Sequence, residues 1–307
     1  MQCTKQQTFT TMHSPVAGSP AFLLRPAIFR NPGFVLAIGF AFLYASCTSS
    51  PQKEKTETVP QNKITVPDSL TLRLQQQADS LAMIRPQKKK IYLTFDDGPN
   101  AGTLNVLTAV SEVQVPVSFF IVAKHTRDSR EQNQTWEKLK NSTGIELCNH
   151  SFSHAGNRYS RFYKEPSHVV ADFIRSNDSL HFTNPVVRMP GRNAWRIGEV
   201  KHTDVKESSK AIDSVALAGF KVMGWDVEWG FDHQTFKPDT DTALIFRRIE
   251  NLLRDSATRT PGHLVLLAHD QAFRDEEDII LLKAFLASIR KNPDYELVMA
   301  SQYPGVK

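Results

Sequence analysis

Cysteine is scarce: Cys3, Cys47 and Cys148 are the only three in 307 residues. An odd, sparse set of this kind excludes a disulfide framework. A comfortable membrane helix needs roughly 20 apolar residues. The run that invites the idea, residues 33–46 (GFVLAIGFAFLYAS), falls short of that length. A charge excess is also missing where a nucleic-acid binder would need it. The net charge of +5 and the pI near 9.0 come from the front of the chain. Residues 1–87 hold eight Lys/Arg and four Asp/Glu, which leaves 29 against 28 in residues 88–307. Nucleic acid is therefore not an expected partner. What remains is the balance of an ordinary globular enzyme, 40% hydrophobic and 22% charged.

Arg25 and Arg30 precede the uncharged run at 33–46, which fits the core of a signal peptide. The run leads into Tyr44-Ala45-Ser46-Cys47. Small residues before a cysteine resemble a bacterial lipoprotein signal. That resemblance implies that Cys47 is lipidated and becomes the mature N-terminus. Tyr44 stands where such signals usually carry an aliphatic residue, with Leu43 just behind it, and Met12 offers a second start. An uncleaved membrane anchor is the other reading. Either one exports the domain and holds it at a membrane as part of the cell envelope. The polar, proline-punctuated stretch at 48–67 reads as a flexible tether. Asp68 is a plausible N-cap for a short helix over 68–84. The expected division is a leader and signal at 1–46, a tether at 47–87 and a folded domain at 88–307, acting as a monomer.

Within the domain, β-rich apolar runs fall at 91–95, 117–122, 145–148, 185–189, 220–227, 264–268 and 296–299. Helix-like stretches separate most of them, as at 103–113, 166–181, 208–218, 241–256 and 276–290. Such alternation predicts an α/β fold with a parallel sheet, closed into a barrel or left open. The reactive residues follow one rule. Asp96 and Asp97, His150, Arg188, Asp226 and His269 each lie at the C-terminal end of a predicted strand. In parallel α/β folds that rim is where sites form.

Asp96-Asp97 leave a strand and enter Gly98-Pro99. An Asp-Gly turn is common and explains the pair without chemistry. The functional reading is that neighbouring side chains diverge, so one carboxylate binds a metal while the other serves as a base. His150 and His154 are spaced by four, which on a helical turn sets both imidazoles on one side. Ser151 stands where the zinc-protease helix needs Glu, so that family is excluded. With one of the aspartates, the histidines make a two-His, one-carboxylate face with open positions, as catalytic metal sites have. Cys148 reads as a small core residue.

TFDDGP at 94–99 and HSFSH at 150–154 resemble the first two signatures of the polysaccharide deacetylases with the NodB-homology domain, carbohydrate esterase family 4. The resemblance covers roughly residues 88–303. It implies a distorted (β/α)7 barrel, Asp96 as the catalytic base, and Asp97, His150 and His154 as metal ligands. The third signature, R-x-P-Y, is here Arg188-Met189-Pro190-Gly191. Arg188 would orient Asp96. Gly191 replaces a tyrosine whose backbone N–H is thought to meet the oxyanion, and Gly191 still has that N–H. Losing the ring should reshape the cleft, and Arg192, Asn193 and Trp195 could supply sugar contacts in its place. The fourth signature is shortened to Trp225-Asp226-Val227-Glu228-Trp229. Asp226 is preferred over Glu228 as the residue that holds Arg188 or tunes the histidine. Trp225 and Trp229 are either core or sugar platforms. The fifth is Leu267-Ala268-His269, with His269 as general acid.

The resemblance thus implies metal-dependent removal of N-acetyl groups from a polysaccharide such as peptidoglycan or an N-acetylglucosamine polymer, with Zn2+ as the expected metal. Three rivals stand beside it. An esterase acting on O-acetyl glycans, such as acetylxylan, would use the same site. A non-catalytic glycan-binding lipoprotein would keep the fold without the chemistry. A non-haem iron oxygenase would also use two histidines and one carboxylate.

Overall fold

In a computed structural model of the chain, residues 68–84 and 87–307 can be described. The expected leader, the lipidation site Cys47 and the tether up to residue 67 lie outside them. The first element is a helix, α1 (Asp68–Ile84), whose described side chains through Ser80 are all exposed.

The domain then alternates. Its order is β1 (Lys89–Gly98), α2 (Thr103–Val113), β2 (Val117–Ile121), α3 (Arg130–Lys140), β3 (Ile145–Asn149), the single turn α4 (Tyr159–Phe162), α5 (Pro166–Leu180) and β4 (Val186–Val187). A hairpin of β5 (Ala194–Ile197) and β6 (Val200–Thr203) follows, then α6 (Ser209–Leu217), β7 (Lys221–Val222) and β8 (Val227–Trp229). The last elements are α7 (Thr242–Arg254), β9 (His263–His269), α8 (Glu276–Lys291) and β10 (Tyr295–Val298).

Seven strands run parallel in the order β7-β4-β3-β2-β1-β9-β8. β1 is long enough to pair with β10 along Lys89–Tyr92 and with β2 further on. The sheet is a distorted (β/α)7 barrel, and among the described residues no ladder joins β7 to β8. This corrects one expectation. Residues 220–227 are not one strand: the chain pairs beside β4, leaves at Met223 and Gly224, and re-enters beside β9. The antiparallel hairpin β5–β6 was not foreseen either.

Strand alternation sorts the core. From β1, Ile91, Leu93 and Phe95 point outward to the helices, while Tyr92 points inward with Phe120, Cys148, Val265 and Tyr303. Burial on both faces is why these parallel strands are nearly continuous apolar runs. α7 shows the complementary helix logic. Asp241 caps it by accepting from the Ala243 N–H, and Ile245, Ile249 and Leu253 recur every fourth residue on the buried side.

Phe285 of α8 packs its ring 4.8 Å from Trp229 and 4.9 Å from Phe246. Phe285→Ala should lower unfolding free energy by about 3–5 kcal/mol, read from denaturant melts of both proteins.

Candidate metal and catalytic site

The cleft begins with a distortion in β1. The register to β2 shifts between Asp96 and Gly98, and Asp97 takes a φ of 73°. In a regular strand two adjacent side chains face opposite sides. The bulge and the left-handed residue instead turn both carboxylates into one cleft. Gly98 follows because its neighbour leaves no room: a Cβ there would sit 2.7 Å from Asp270 Oδ2.

Asp97 meets both histidines. Its Oδ1 lies 3.3 Å from His150 Nε2 and 3.0 Å from His154 Nε2. One ligand atom from each of the three residues falls within 4.8 Å of the others. Burial alone would raise the Asp97 carboxyl, but the two imidazoles outweigh it and hold it well below the usual carboxylate range. His154 moves the other way: burial opposes its charge, yet Asp97 raises it overall. Despite these neighbours, Asp97 Oδ1 is buried with no hydrogen-bond partner among the described residues. Buried acceptors are seldom left so. A divalent cation would satisfy it, and the donor set of one carboxylate and two imidazoles suits one. His150 Nδ1 is 2.9 Å from the Arg188 carbonyl, which leaves Nε2 to face the centre.

The histidines reach this arrangement by a route the spacing did not predict. Residues 150–154 are not a helical turn. Ser151 and His154 have φ values of 68° and 50°. The loop is tied by side chains instead. Asn149 Oδ1 accepts from Ser151 N, Ser151 Oγ from His154 N, and Asp172 Oδ2 from both Phe152 N and Ser153 N. The rings still converge, with centroids 5.1 Å apart.

Asp96 stands on the inner side, 2% exposed. Arg188 Nη1 donates to its Oδ1 at 2.7 Å, and its Oδ2 lies 3.7 Å from His150 Nε2. Arg188 is itself fully buried. It also donates to Thr94 Oγ1 and to the carbonyls of Met223 and Gly224, and it lies over the Phe120 ring.

His269 closes the opposite wall. Its Nε2 is 3.9 Å from Asp97 Oδ2 and its ring packs 5.1 Å from Phe231. Glu228, on the neighbouring β8, lines the same cleft. Burial raises its carboxyl, with the charge of His269 opposing. Asp226 is a correction. It does not reach Arg188 or His269; its two oxygens accept from the backbone N–H groups of Arg259 and Val265, and burial raises its carboxyl against those bonds. Two residues along a strand keep a face, but the chain crosses between ladders here, so Asp226 braces the seam while Glu228 enters the cleft.

Gly191 lines the cleft with a φ of 60°. A Cβ there would be 3.0–3.2 Å from the Tyr159 ring. Tyr159 thus fills the space beside Gly191, with its hydroxyl 3.5 Å from His154 Nδ1. No motif pointed to it. Trp195 is fully buried, its indole bonded to Asn193, and Trp229 is core as well, so neither can be a sugar platform. Trp225 does line the cleft, whose volume is about 760 Å3.

Residues 84–191 match the family model described as polysaccharide deacetylase. A Bacillus subtilis protein assigned provisionally as a polysaccharide deacetylase is 23% identical over 259 residues, covering 76% of this chain and 83% of its own. A peptidoglycan-N-acetylglucosamine deacetylase of Bacillus cereus is 24% identical over 186 residues, 60% of each chain. Among solved structures, the chitin deacetylase of Colletotrichum lindemuthianum shares the fold with a TM-score of 0.51 at 16% identity, covering 72% of this chain and 89% of that one.

Asp226→Ala strands two backbone donors. It should cost about 1–3 kcal/mol of stability in thermal or denaturant unfolding while leaving the affinity for a divalent cation unchanged in calorimetry.

Proposed function

We propose, from the match of residues 84–191 to the polysaccharide deacetylase family and from the residues gathered in the cleft, that the protein hydrolyses N-acetyl groups of an amino-sugar polymer, releasing acetate and a free amine. The observation that carries this is the meeting of an Asp97, His150 and His154 donor set with a buried Asp96–Arg188 pair and His269 across one cleft.

In this reading the residues of the cleft divide the labour. Asp97, His150 and His154 would hold a divalent cation, for which we propose Zn2+, and it would supply Lewis acidity for acyl transfer to water. Arg188 occupies Asp96 Oδ1 and orients that carboxylate, leaving Oδ2 to accept the proton of the attacking water. The Gly191 N–H offers a donor to the developing oxyanion. His269, in its protonated form, gives its proton to the departing nitrogen as the C–N bond breaks. Phe231 against its ring helps exclude solvent from that transfer.

Amide rather than ester substrates are favoured in this reading because a general acid is placed for a poor leaving group. The O-acetyl esterase remains the rival, and assays of N-acetylated and O-acetylated glycans side by side separate the two. We further propose that the protein is exported and held at a membrane of the cell envelope by a lipid on Cys47, acting as a monomer with a Zn2+ ion. The run at 33–46 and the small residues before Cys47 support the export and the lipid anchor.

Asp96→Asn should lower kcat on N-acetylated chitin oligosaccharides by ~10²-fold or more. An unchanged rate would overturn the assignment. Chelation should abolish acetate release and lower the melting temperature, and added Zn2+ should restore both. In His154→Ala the melting temperature should no longer respond to Zn2+.

A further inference from the structure

A second groove opens from the catalytic cleft. Ser153 and Gly156 line both. The groove has a volume of about 580 Å3 and follows the segment between the His154 loop and α5. Arg158, Arg161, Lys164 and His168 line it and are exposed; Glu165 is the single acidic lining residue. The folded domain is nearly neutral, with 29 Lys/Arg against 28 Asp/Glu in residues 88–307. The excess is therefore local.

These basic side chains are also uncommitted. Among the described residues, none of the four forms a salt bridge or a side-chain hydrogen bond, whereas Lys124 in the cleft is paired with Asp128. The segment that carries them is anchored on both sides. Asp172 holds the backbone of Phe152 and Ser153, and the buried Tyr163 donates its hydroxyl to the Pro190 carbonyl at 2.7 Å. Arg158, Arg161 and Lys164 recur every third residue along the groove. That suits several singly charged groups spaced along a polymer better than one dianion.

We propose that this groove binds carboxylates carried by the glycan beside the sugar being deacetylated, so that the substrate is an acidic rather than a neutral polymer. The inference rests on the deacetylase reading above. Guanidinium groups pair with carboxylates through two parallel N–H···O bonds. A basic wall opening into the cleft also raises the local concentration of an acidic chain.

The test compares N-acetylglucosamine oligosaccharides of matched length: neutral chitin oligomers, muropeptide fragments bearing carboxylates, and chemically phosphorylated chitin oligomers. For the wild type, KM should be lowest for the carboxylated set and should rise with salt. In Arg158→Gln/Arg161→Gln/Lys164→Gln, KM for the carboxylated set should rise roughly tenfold with kcat unchanged, since each exposed pair contributes little alone. KM for neutral oligomers should stay within about twofold. Equal KM values for all three sets, a parallel rise on neutral oligomers, or a preference for the phosphorylated set would each overturn the proposal. So would sedimentation of the wild type, but not the variant, with phosphatidylglycerol vesicles when KM is unaffected, because the groove would then serve a membrane. Calorimetric binding of the same oligosaccharides to Asp96→Asn reads affinity without turnover. Charge-selective binding with no wild-type turnover on any set would sink the deacetylase reading and leave the groove standing; non-selective binding would sink the groove.

Discussion

The ion pair of Arg188 and Asp96 ties the site to the barrel. Arg188 is fully buried, and a buried guanidinium is tolerable only if its charge and its donors are met. Here they are: one carboxylate, one hydroxyl and two carbonyls accept from it. The two carbonyls belong to Met223 and Gly224, at the seam where the chain leaves β7 and heads for β8. Thr94 and Asp96 belong to β1, across the barrel interior. One side chain thus binds the seam to the central strand and sets the orientation of the proposed base. Its carbonyl, through His150 Nδ1, also orients one of the proposed ligands. Folding and chemistry share the same residue, because a barrel left open between β7 and β8 needs an internal tie and the site needs an oriented carboxylate.

The His154 loop solves a different problem. Residues in left-handed conformations cost free energy unless their surroundings hold them. Ser151, His154, Ala155 and Asn157 all have positive φ. Asn149, Ser151 and Asp172 hold part of this loop by taking its backbone N–H groups, so that two imidazoles converge without a helix. Tyr159 then leans over Gly191, and its ring occupies the volume that a side chain at 191 would need. A ring from another segment thus forms the cleft wall beside Gly191. The basic residues from Arg158 to His168 follow directly from that segment, and so the loop that positions a metal ligand also shapes the approach to it.

Much of this was legible in the residues themselves. Continuous apolar runs marked the parallel strands, and every fourth apolar residue marked α7, because burial on two faces or one leaves those periods in any sequence. Asp96, Asp97, His150, His154, Arg188 and His269 could be singled out because a parallel sheet collects the ends of its strands at one rim. The preference for Asp226 over Glu228 has no support in the pattern, since alternation alone puts both on one face. Only the crossing from one ladder to another sends the first to the backbone of Arg259 and Val265 and the second into the cleft.

The sequence by itself determined the fold class, the reactive residue types and the rim on which they gather, because strand period and local motif are properties of adjacent residues. Tertiary structure decided the rest: the burial of Arg188, the non-helical path of the histidine loop, the burial of Trp195 and Trp229, and the partnership of Tyr159 with Gly191. Each of these depends on segments far apart in the chain meeting in space. Contact between such segments leaves no period or spacing for the sequence to display.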